Sequence, residues 1–264
     1  MAQKRRASQS PKKGRAGTAK TTAELKAVID DLVMGNRILY VQDVVDSYGH
    51  ISARHPRHSD RFLMSRARAP GLVVAADIME FGLDGELVRP DERPVYSERF
   101  IHSEVYKARP DVGAVVHSHS PTVVPFSVTQ VPLRPIRAAF FYPEVPVFDT
   151  RASAGWTNLL ISNSALGRAL AQTLGKSSVA LMRGHGNVVV APSLRLVVYR
   201  AIYTEANAKL LLQAKMLGGP ITYLAPEEAA LMDKEQSRQR AGHGHDRTWE
   251  MWKQEALART GKLQ

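Results

Sequence analysis

The segment that most constrains the fold is "GAVVHSHSPT", residues 113–122, in which a short apolar run ends in two histidines. The run is rich in valine and is bounded by glycine and proline, which predicts a buried β-strand. Residues i and i+2 of a strand point to the same face, so His117 and His119 are expected to present two imidazoles side by side. Two nitrogen donors so placed are an arrangement that a metal ion can use.

Helical and strand-like patterns alternate along the rest of the chain. A first helix is predicted to begin at Thr21, with Glu24 as its capping-box partner, and another to run from Ser97 to the residue before Pro110. Two last helices are predicted at 225–240 and 246–259. Because hairpin turns recur among the helices, the expected fold class is α/β. A central mixed, mainly antiparallel sheet is expected to lie between two helical layers, which gives a three-layer α/β/α arrangement.

The net charge of +11 is concentrated in residues 1–20, which contain seven Lys or Arg and no acid, so the remainder carries only +4. Those residues are poor in large apolar side chains, which predicts a disordered basic tail followed by one catalytic domain at 21–264. Such a tail is able to bind polyanions, but a solvated tail is the expectation, and no nucleic-acid partner is expected. With neither an apolar leader nor a run approaching the ~20 apolar residues of a membrane span, no membrane association and a cytoplasmic location are expected.

The chain contains no cysteine, so any metal must be held by nitrogen and oxygen ligands. His185, in the turn-like "RGHGN", is the candidate third ligand, because its glycine neighbours let the backbone approach another element closely. Three histidines leave one position open, as catalytic metal sites do. A second pair, His243 and His245 in "AGHGHD", is the weaker candidate because it lies in a polar stretch.

Glu98 lies 19 residues before His117, at the start of a predicted helix, where a carboxylate suits either the helix dipole or a catalytic role. The segment that begins there, "ERFIHSEVYKARPDVGAVVHSHS", resembles the class II aldolase/adducin family, whose pattern is a Glu, a helix, an "RPD"-type turn and a strand ending in H-x-H. "LMRGHGNVVV" is similar to the family segment that carries the third histidine, and "DSYGHISARH", residues 46–55, to an early family loop.

The resemblance covers about residues 25 to 220 and implies an enzyme, since adducin-type members without activity typically lack the histidine set. It also implies a homotetramer with active sites at subunit interfaces, and a divalent metal ion on His117, His119 and His185. Zn, Mn, Co and Fe all remain possible, because histidine suits each of them.

Two departures from the family pattern bear on the substrate. His50 stands where sugar-phosphate aldolases have Asn, and "MSRARAPG" stands where they have a Thr/Gly-rich phosphate-binding stretch. Both resemble the branch that decarboxylates hydroxylated aromatic dicarboxylates such as dihydroxyphthalates or hydroxypyridine dicarboxylates. Arg66 and Arg68 are expected to hold a substrate carboxylate through paired hydrogen bonds, unless they are solvated surface residues, and Ser52 is assigned to substrate binding with them.

The leading hypothesis is a metal-dependent decarboxylase, a carboxy-lyase of aromatic catabolism. The metal would bind a substrate carboxylate and the adjacent hydroxyl, and would stabilise enolate-like charge as CO2 leaves. Glu98 or His50 would protonate the ring carbon. Three alternatives stay open: an aldolase that cleaves a hydroxy-keto substrate, a non-haem Fe(II) oxygenase, and an adducin-like binding protein that uses its basic tail.

Overall fold

The computed structural model describes residues 14–138, 145–232 and 246–261. Within them, seven strands form one sheet in the order β3-β2-β1-β4-β7-β6-β5. Every neighbouring pair is antiparallel except β5 and β6, which confirms the mixed, mainly antiparallel sheet. The strands are β1 His50–Arg54, β2 Arg61–Ser65, β3 Ile78–Gly82, β4 Ala114–Ser118, β5 Val147–Phe148, β6 Val179–Met182 and β7 Gly186–Ala191.

Helices cover both faces of the sheet. They are α1 Gly14–Val41, α2 Arg99–Ala108, α3 Val124–Val128, α4 Thr150–Ala154, α5 Ser164–Leu174, α6 Leu194–Met216 and α7 Asp246–Thr260, together with 3-10 turns at Pro70–Leu72 and Ala75–Asp77 and a helical stretch at 226–232. None of the helices in these described ranges is long and apolar enough to cross a membrane.

Alternation along β4 divides the apolar side chains between two cores. Val116 packs in the core formed with α1, α6 and α7, whereas Val115 packs in the core formed with α2 and α5. Neighbouring residues of a strand point to opposite faces, so each valine of β4 is buried under a different helical layer. This arrangement is the expected three-layer α/β/α architecture.

The first helix differs from the sequence prediction. It begins at Gly14, so Thr21 lies inside the helix and the predicted start at Thr21 is wrong. Residues 15–20 include good helix formers and no proline, so the helix extends into the segment expected to be a disordered tail. Residues 1–13 and the second half of the helix predicted at 225–240 lie outside the described residues.

The glycine that begins β7 lets this strand approach β4 at the histidine pair. A Cβ atom on Gly186 would lie 2.1 Å from the backbone oxygen of Ser118 and 3.1 Å from a ring carbon of His119. Any other residue at this position would therefore push β7 away from β4 or displace His119.

We expect Gly186→Ala to destabilise the fold by about 1–3 kcal/mol, as overpacking of a tight interior does. For a chain of this size, the melting temperature falls by roughly 2–4 °C per kcal/mol, which a calorimetric scan would measure. Gly82→Ala is the matched control, because Gly82 also lies in a strand and its added Cβ would meet only the carboxylate end of the exposed Asp84 side chain, which can move aside. An equal loss in the two variants would contradict the steric explanation.

Candidate active site

Four side chains from three parts of the fold converge at one end of the sheet. His117 lies in β4, His119 just after it, His185 in the turn between β6 and β7, and Glu98 immediately before α2. One potential ligand atom from each lies within 4.8 Å of all the others. The three histidines expected to bind a metal are therefore brought together, and Glu98 joins them.

Hydrogen bonds to the backbone orient two of these rings. Nδ1 of His117 lies 3.1 Å from the carbonyl oxygen of Asn187, and Nδ1 of His185 lies 3.1 Å from that of Leu159. A carbonyl only accepts, so in the neutral ring Nδ1 carries the proton and Nε2 keeps the lone pair that a metal ligand needs. Histidine ligands of metals are typically fixed through their other nitrogen in this way.

The lone pairs and the carboxylate face a common point. Nε2 of His117 is 3.1 Å from Nε2 of His119, and Oε2 of Glu98 is 3.5 Å from Nε2 of both His117 and His185. So many acceptors at short distance repel one another unless a cation lies among them. This set of nitrogen and oxygen donors fits a divalent transition-metal ion, with Zn, Mn, Co and Fe all compatible.

The electrostatics of the cluster favour the ionisation states that metal binding requires. Burial would raise the pKa of Glu98, but hydrogen bonds and charge from His117 and His185, where a proton on Nε2 takes the place that a metal ion would fill, hold it well below its usual range. Burial, followed by His117 and His185, lowers the pKa of His119 to about 4. Glu98 makes no capping hydrogen bond to α2, and its Oε1 accepts the Ile161 N–H at 2.9 Å, so it does not act as a helix cap.

A pocket of about 510 Å³ opens beside this cluster. Glu98 and His119 form part of its wall, and His50, Arg68 and Tyr96 are among the other polar residues that line it. The ring of Tyr96 lies 4.6 Å from that of His50, centroid to centroid. The pocket therefore joins the candidate metal ligands to two of the residues that distinguish this chain from the sugar-phosphate pattern.

His50 is the pocket end of a buried chain of hydrogen bonds. Its Nδ1 is 2.7 Å from Nε2 of His102, Nδ1 of His102 is 2.6 Å from Oγ of Ser52, and that Oγ is 2.8 Å from the hydroxyl of Tyr106. Ser52, expected to bind substrate, is completely buried and lies outside the pocket wall. It reaches the pocket only through His102 and His50.

Burial keeps this chain of side chains uncharged. It is the main cause that lowers the pKa of His50 well below its usual value and that of His102 to about 3. It also raises the pKa of the Tyr106 phenol, so the phenol keeps its proton. The sequence analysis missed His102 and Tyr106, although they recur at i and i+4 on α2 and so share the face turned toward the sheet.

Arg66 and Arg68 share one buried carboxylate. Nε of Arg66 lies 2.7 Å from Asp77 Oδ1, and Nη1 of Arg68 lies 3.0 and 3.2 Å from the two Asp77 oxygens. β2 ends at Ser65, so the two arginines lie beyond the strand and not on one of its faces. Both are half-buried and ion-paired, which is not the solvated alternative.

Asp77 and Tyr96 hold this pair in place, and neither was found from the sequence. Burial raises the pKa of Asp77, but the Val74 N–H and the two guanidinium groups more than offset it and lower the pKa. The Tyr96 hydroxyl donates to the backbone oxygen of Arg68 and accepts from its N–H at 3.2 Å. Arg68 borders the pocket, whereas Arg66 does not and contacts Arg68 only through their shared partner Asp77.

Comparisons with known proteins agree with this architecture. The model of the class II aldolase and adducin N-terminal domain matches residues 30–212, and the chain belongs to this family. Decarboxylase tropJ of Talaromyces stipitatus is 38% identical over 247 residues, 84% of this chain and 91% of that protein. A 3,4-dihydroxyphthalate decarboxylase of Arthrobacter keyseri is 33% identical over 75% of this chain and 83% of its own length.

Among solved structures, an aldolase II superfamily protein from Pseudomonas syringae superposes with a TM-score of 0.75, covering 94% of this chain and 99% of its own. At 21% identity this match shows the shared fold. The weaker histidine pair considered from the sequence, His243 and His245, lies outside the described residues.

We expect the purified protein to bind about one divalent ion per chain, because one cluster supplies the converging nitrogen and oxygen donors. Replacing His117 and His119 together with Ala should remove the metal and leave the circular dichroism spectrum unchanged, as measured beside elemental analysis. His58→Ala, an exposed histidine away from the cluster, is the control and should retain the metal. Full metal content in the double variant would place the ion elsewhere.

Proposed function

We propose that the protein is a metal-dependent decarboxylase, a carboxy-lyase acting on a hydroxylated aromatic dicarboxylate such as a dihydroxyphthalate or a hydroxypyridine dicarboxylate. The observation that carries this proposal is the pocket in which His50 and Arg68 stand beside the Glu98, His117, His119 and His185 cluster. The two decarboxylases that are 38% and 33% identical to the chain support the same reaction class.

The cluster would hold the ion through Nε2 of its three histidines, with the Glu98 carboxylate next to them. A bound divalent ion would supply Lewis-acid stabilisation of negative charge on a substrate oxygen. Glu98 also fixes the neighbouring backbone, since its Oε1 accepts the Ile161 N–H. Both of its oxygens are therefore engaged, one by the backbone and one by the histidines.

Decarboxylation breaks the bond between the ring and the carboxylate carbon, leaves the electron pair on the ring and requires a proton there in its place. Of the two donors that the sequence left open, the geometry favours His50. Its Nδ1 is occupied by His102, whereas its Nε2 makes no hydrogen bond with any described residue. His50 borders the pocket and can direct that nitrogen to the departing carboxylate or to the solvent molecule that delivers the proton, because a neutral imidazole that gave its own N–H proton to the ring carbon would become an anion.

Arg68 is the proposed partner of the carboxylate that remains on the product. Its Nη1 is held by Asp77 and its backbone by Tyr96, so the guanidinium is oriented before substrate arrives. One aspartate does not balance two arginines, so the group retains net positive charge at the pocket edge. A guanidinium so placed matches a planar carboxylate in geometry and charge.

Homotetrameric assembly, with sites at subunit interfaces, and a cytoplasmic location remain predictions. Light scattering of the purified protein would test the first. A protein that is monomeric at micromolar concentration and fully active would contradict it.

The substrate class is tested by comparing CO2 release from 3,4-dihydroxyphthalate and hydroxypyridine dicarboxylates with aldehyde release from a ketose phosphate, all with the same metal-loaded protein. We expect CO2 release to dominate without oxygen consumption. Faster cleavage of the sugar phosphate would favour an aldolase, and obligatory oxygen uptake would favour an oxygenase. A metal-free protein inactive on every substrate would favour a binding role.

Replacing Arg68 with Met should weaken binding of the aromatic dicarboxylate by roughly 10-fold to 150-fold, as expected for a charge-assisted hydrogen bond worth about 1.5–3 kcal/mol. The dissociation constant would be measured by calorimetry with the metal-loaded protein. Arg168→Met is the control, because Arg168 is 66% exposed on α5 and borders no part of the pocket. Equal affinity in the Arg68 variant and the wild type would remove Arg68 from the substrate site.

Glu98→Gln should lower the turnover of CO2 release by at least about 100-fold, because the amide removes the negative charge from the cluster. The carbonyl oxygen of Gln can still accept the Ile161 N–H, so thermal stability should be largely kept. Glu86→Gln, whose side chain is 66% exposed, is the control for loss of a carboxylate. Turnover of Glu98→Gln within threefold of the wild type would exclude an essential role.

A further inference from the structure

Counting the protons in the buried hydrogen-bond chain from Tyr106 to His50 shows which group donates and which accepts in each hydrogen bond. Ser52 and His102 are 0% exposed and Tyr106 is 1% exposed, so no solvent is available to any of their polar atoms. The two contacts beyond His102 are His102 Nδ1 to Ser52 Oγ and Ser52 Oγ to Tyr106 Oη. Each contact accommodates one proton, and the two hydroxyl groups already supply two.

A proton on Nδ1 of His102 would therefore be one too many. It would leave one buried hydroxyl without an acceptor, because neither hydroxyl contacts a further group among the described residues. An unsatisfied buried donor shifts an equilibrium by roughly 5-fold to 150-fold. The favoured arrangement runs outward, with Tyr106 donating to Ser52 and Ser52 donating to Nδ1 of His102.

This arrangement fixes the tautomers of both histidines. A neutral His102 that accepts at Nδ1 carries its proton on Nε2, which lies 2.7 Å from Nδ1 of His50 and donates to it. His50 then accepts at Nδ1 and carries its own proton on Nε2. We infer that Ser52, whose hydroxyl accepts from Tyr106 and donates to His102, is a positioning residue that holds His50 as the Nε2–H tautomer, so that His50 presents an N–H donor to the pocket.

The consequence for the substrate rests on the proposed function. An acidic substrate offers carboxylate and hydroxyl oxygens, which accept hydrogen bonds, so the opposite tautomer of His50 would face them with a lone pair. The buried chain of hydrogen bonds from Tyr106 through Ser52 and His102 to His50 is called the relay below. It selects for a substrate with an acceptor oxygen next to His50. Because the Tyr106 phenol keeps its proton, the relay orients His50 and does not conduct a proton to or from the interior.

The tautomer is measured directly by two-bond ¹H–¹⁵N correlation of the full chain labelled with ¹⁵N-histidine and loaded with Zn²⁺, with His50 assigned through His50→Asn. In the wild type, we expect the pattern of a neutral ring protonated at Nε2. Tyr106→Phe should keep that pattern, because the Ser52 hydroxyl remains to donate to His102. Ser52→Ala removes this donor and should give shifts averaged between the two tautomers.

Ser52→Ala should also lower kcat for CO2 release by roughly 2-fold to 10-fold, the equivalent of one net hydrogen bond. Thr204→Val is the matched control, since it removes a buried hydroxyl that bonds only within α6, and it should keep both the His50 pattern and kcat. A wild-type His50 protonated at Nδ1, or an unchanged His50 pattern in Ser52→Ala, would overturn the inference.

The spectra need no substrate, so they decide the tautomer even if no aromatic acid is decarboxylated. Absence of CO2 release with the expected spectra would refute the proposed reaction and leave the relay standing. If Ser52→Ala does not fold, the wild-type and Tyr106→Phe spectra still decide the outcome, since an Nδ1–H pattern in either contradicts the proton count.

Discussion

The antiparallel pairing of β1 with β4 is the interaction on which the rest of the site depends. In its register His50 lies opposite His117, which brings their ring centroids to 5.0 Å. Both residues share the face of the sheet that α2 and α5 cover. A slip of one residue would turn both histidines to the other face, because side chains alternate along a strand. One backbone register therefore determines the positions of the candidate metal ligand His117 and of the relay residue His50 together.

Helix α2 completes what this pairing begins, because it contributes to both groups from one short segment. Glu98 stands at its N-cap position beside the histidine cluster, while His102 and Tyr106, one and two turns later, reach back to β1. These spacings of four residues place all three on one side of the helix. A shift of α2 along its axis would disturb the metal ligands and the relay at the same time, so the two are mechanically coupled.

The sequence indicated the candidate metal ligands more readily than the groups that orient them. The H-x-H pattern, the absence of cysteine and the glycine-flanked His185 indicated where a metal could bind, because ligand chemistry restricts residue types strongly. The sheet class followed from alternating hairpins and helices. The predicted start of α1 at Thr21 was wrong because a capping-box sequence inside a helix has the same residue pattern as one at the helix N-terminus. Asp77, His102 and Tyr106 were missed because each acts through a distant partner, which periodicity cannot identify.

The relay also explains why a histidine at position 50 needs more support than the asparagine of the sugar-phosphate pattern. An asparagine amide carries a donor and an acceptor at once and only has to rotate to offer either. A neutral histidine carries its proton on only one of its two ring nitrogens, and the free ring has only a weak preference, so neighbouring groups must set a stronger one. Hydroxyl groups buried behind it supply that preference without adding charge. A histidine at position 50 therefore depends on the buried hydroxyl of Ser52, two side chains away, where no substrate reaches.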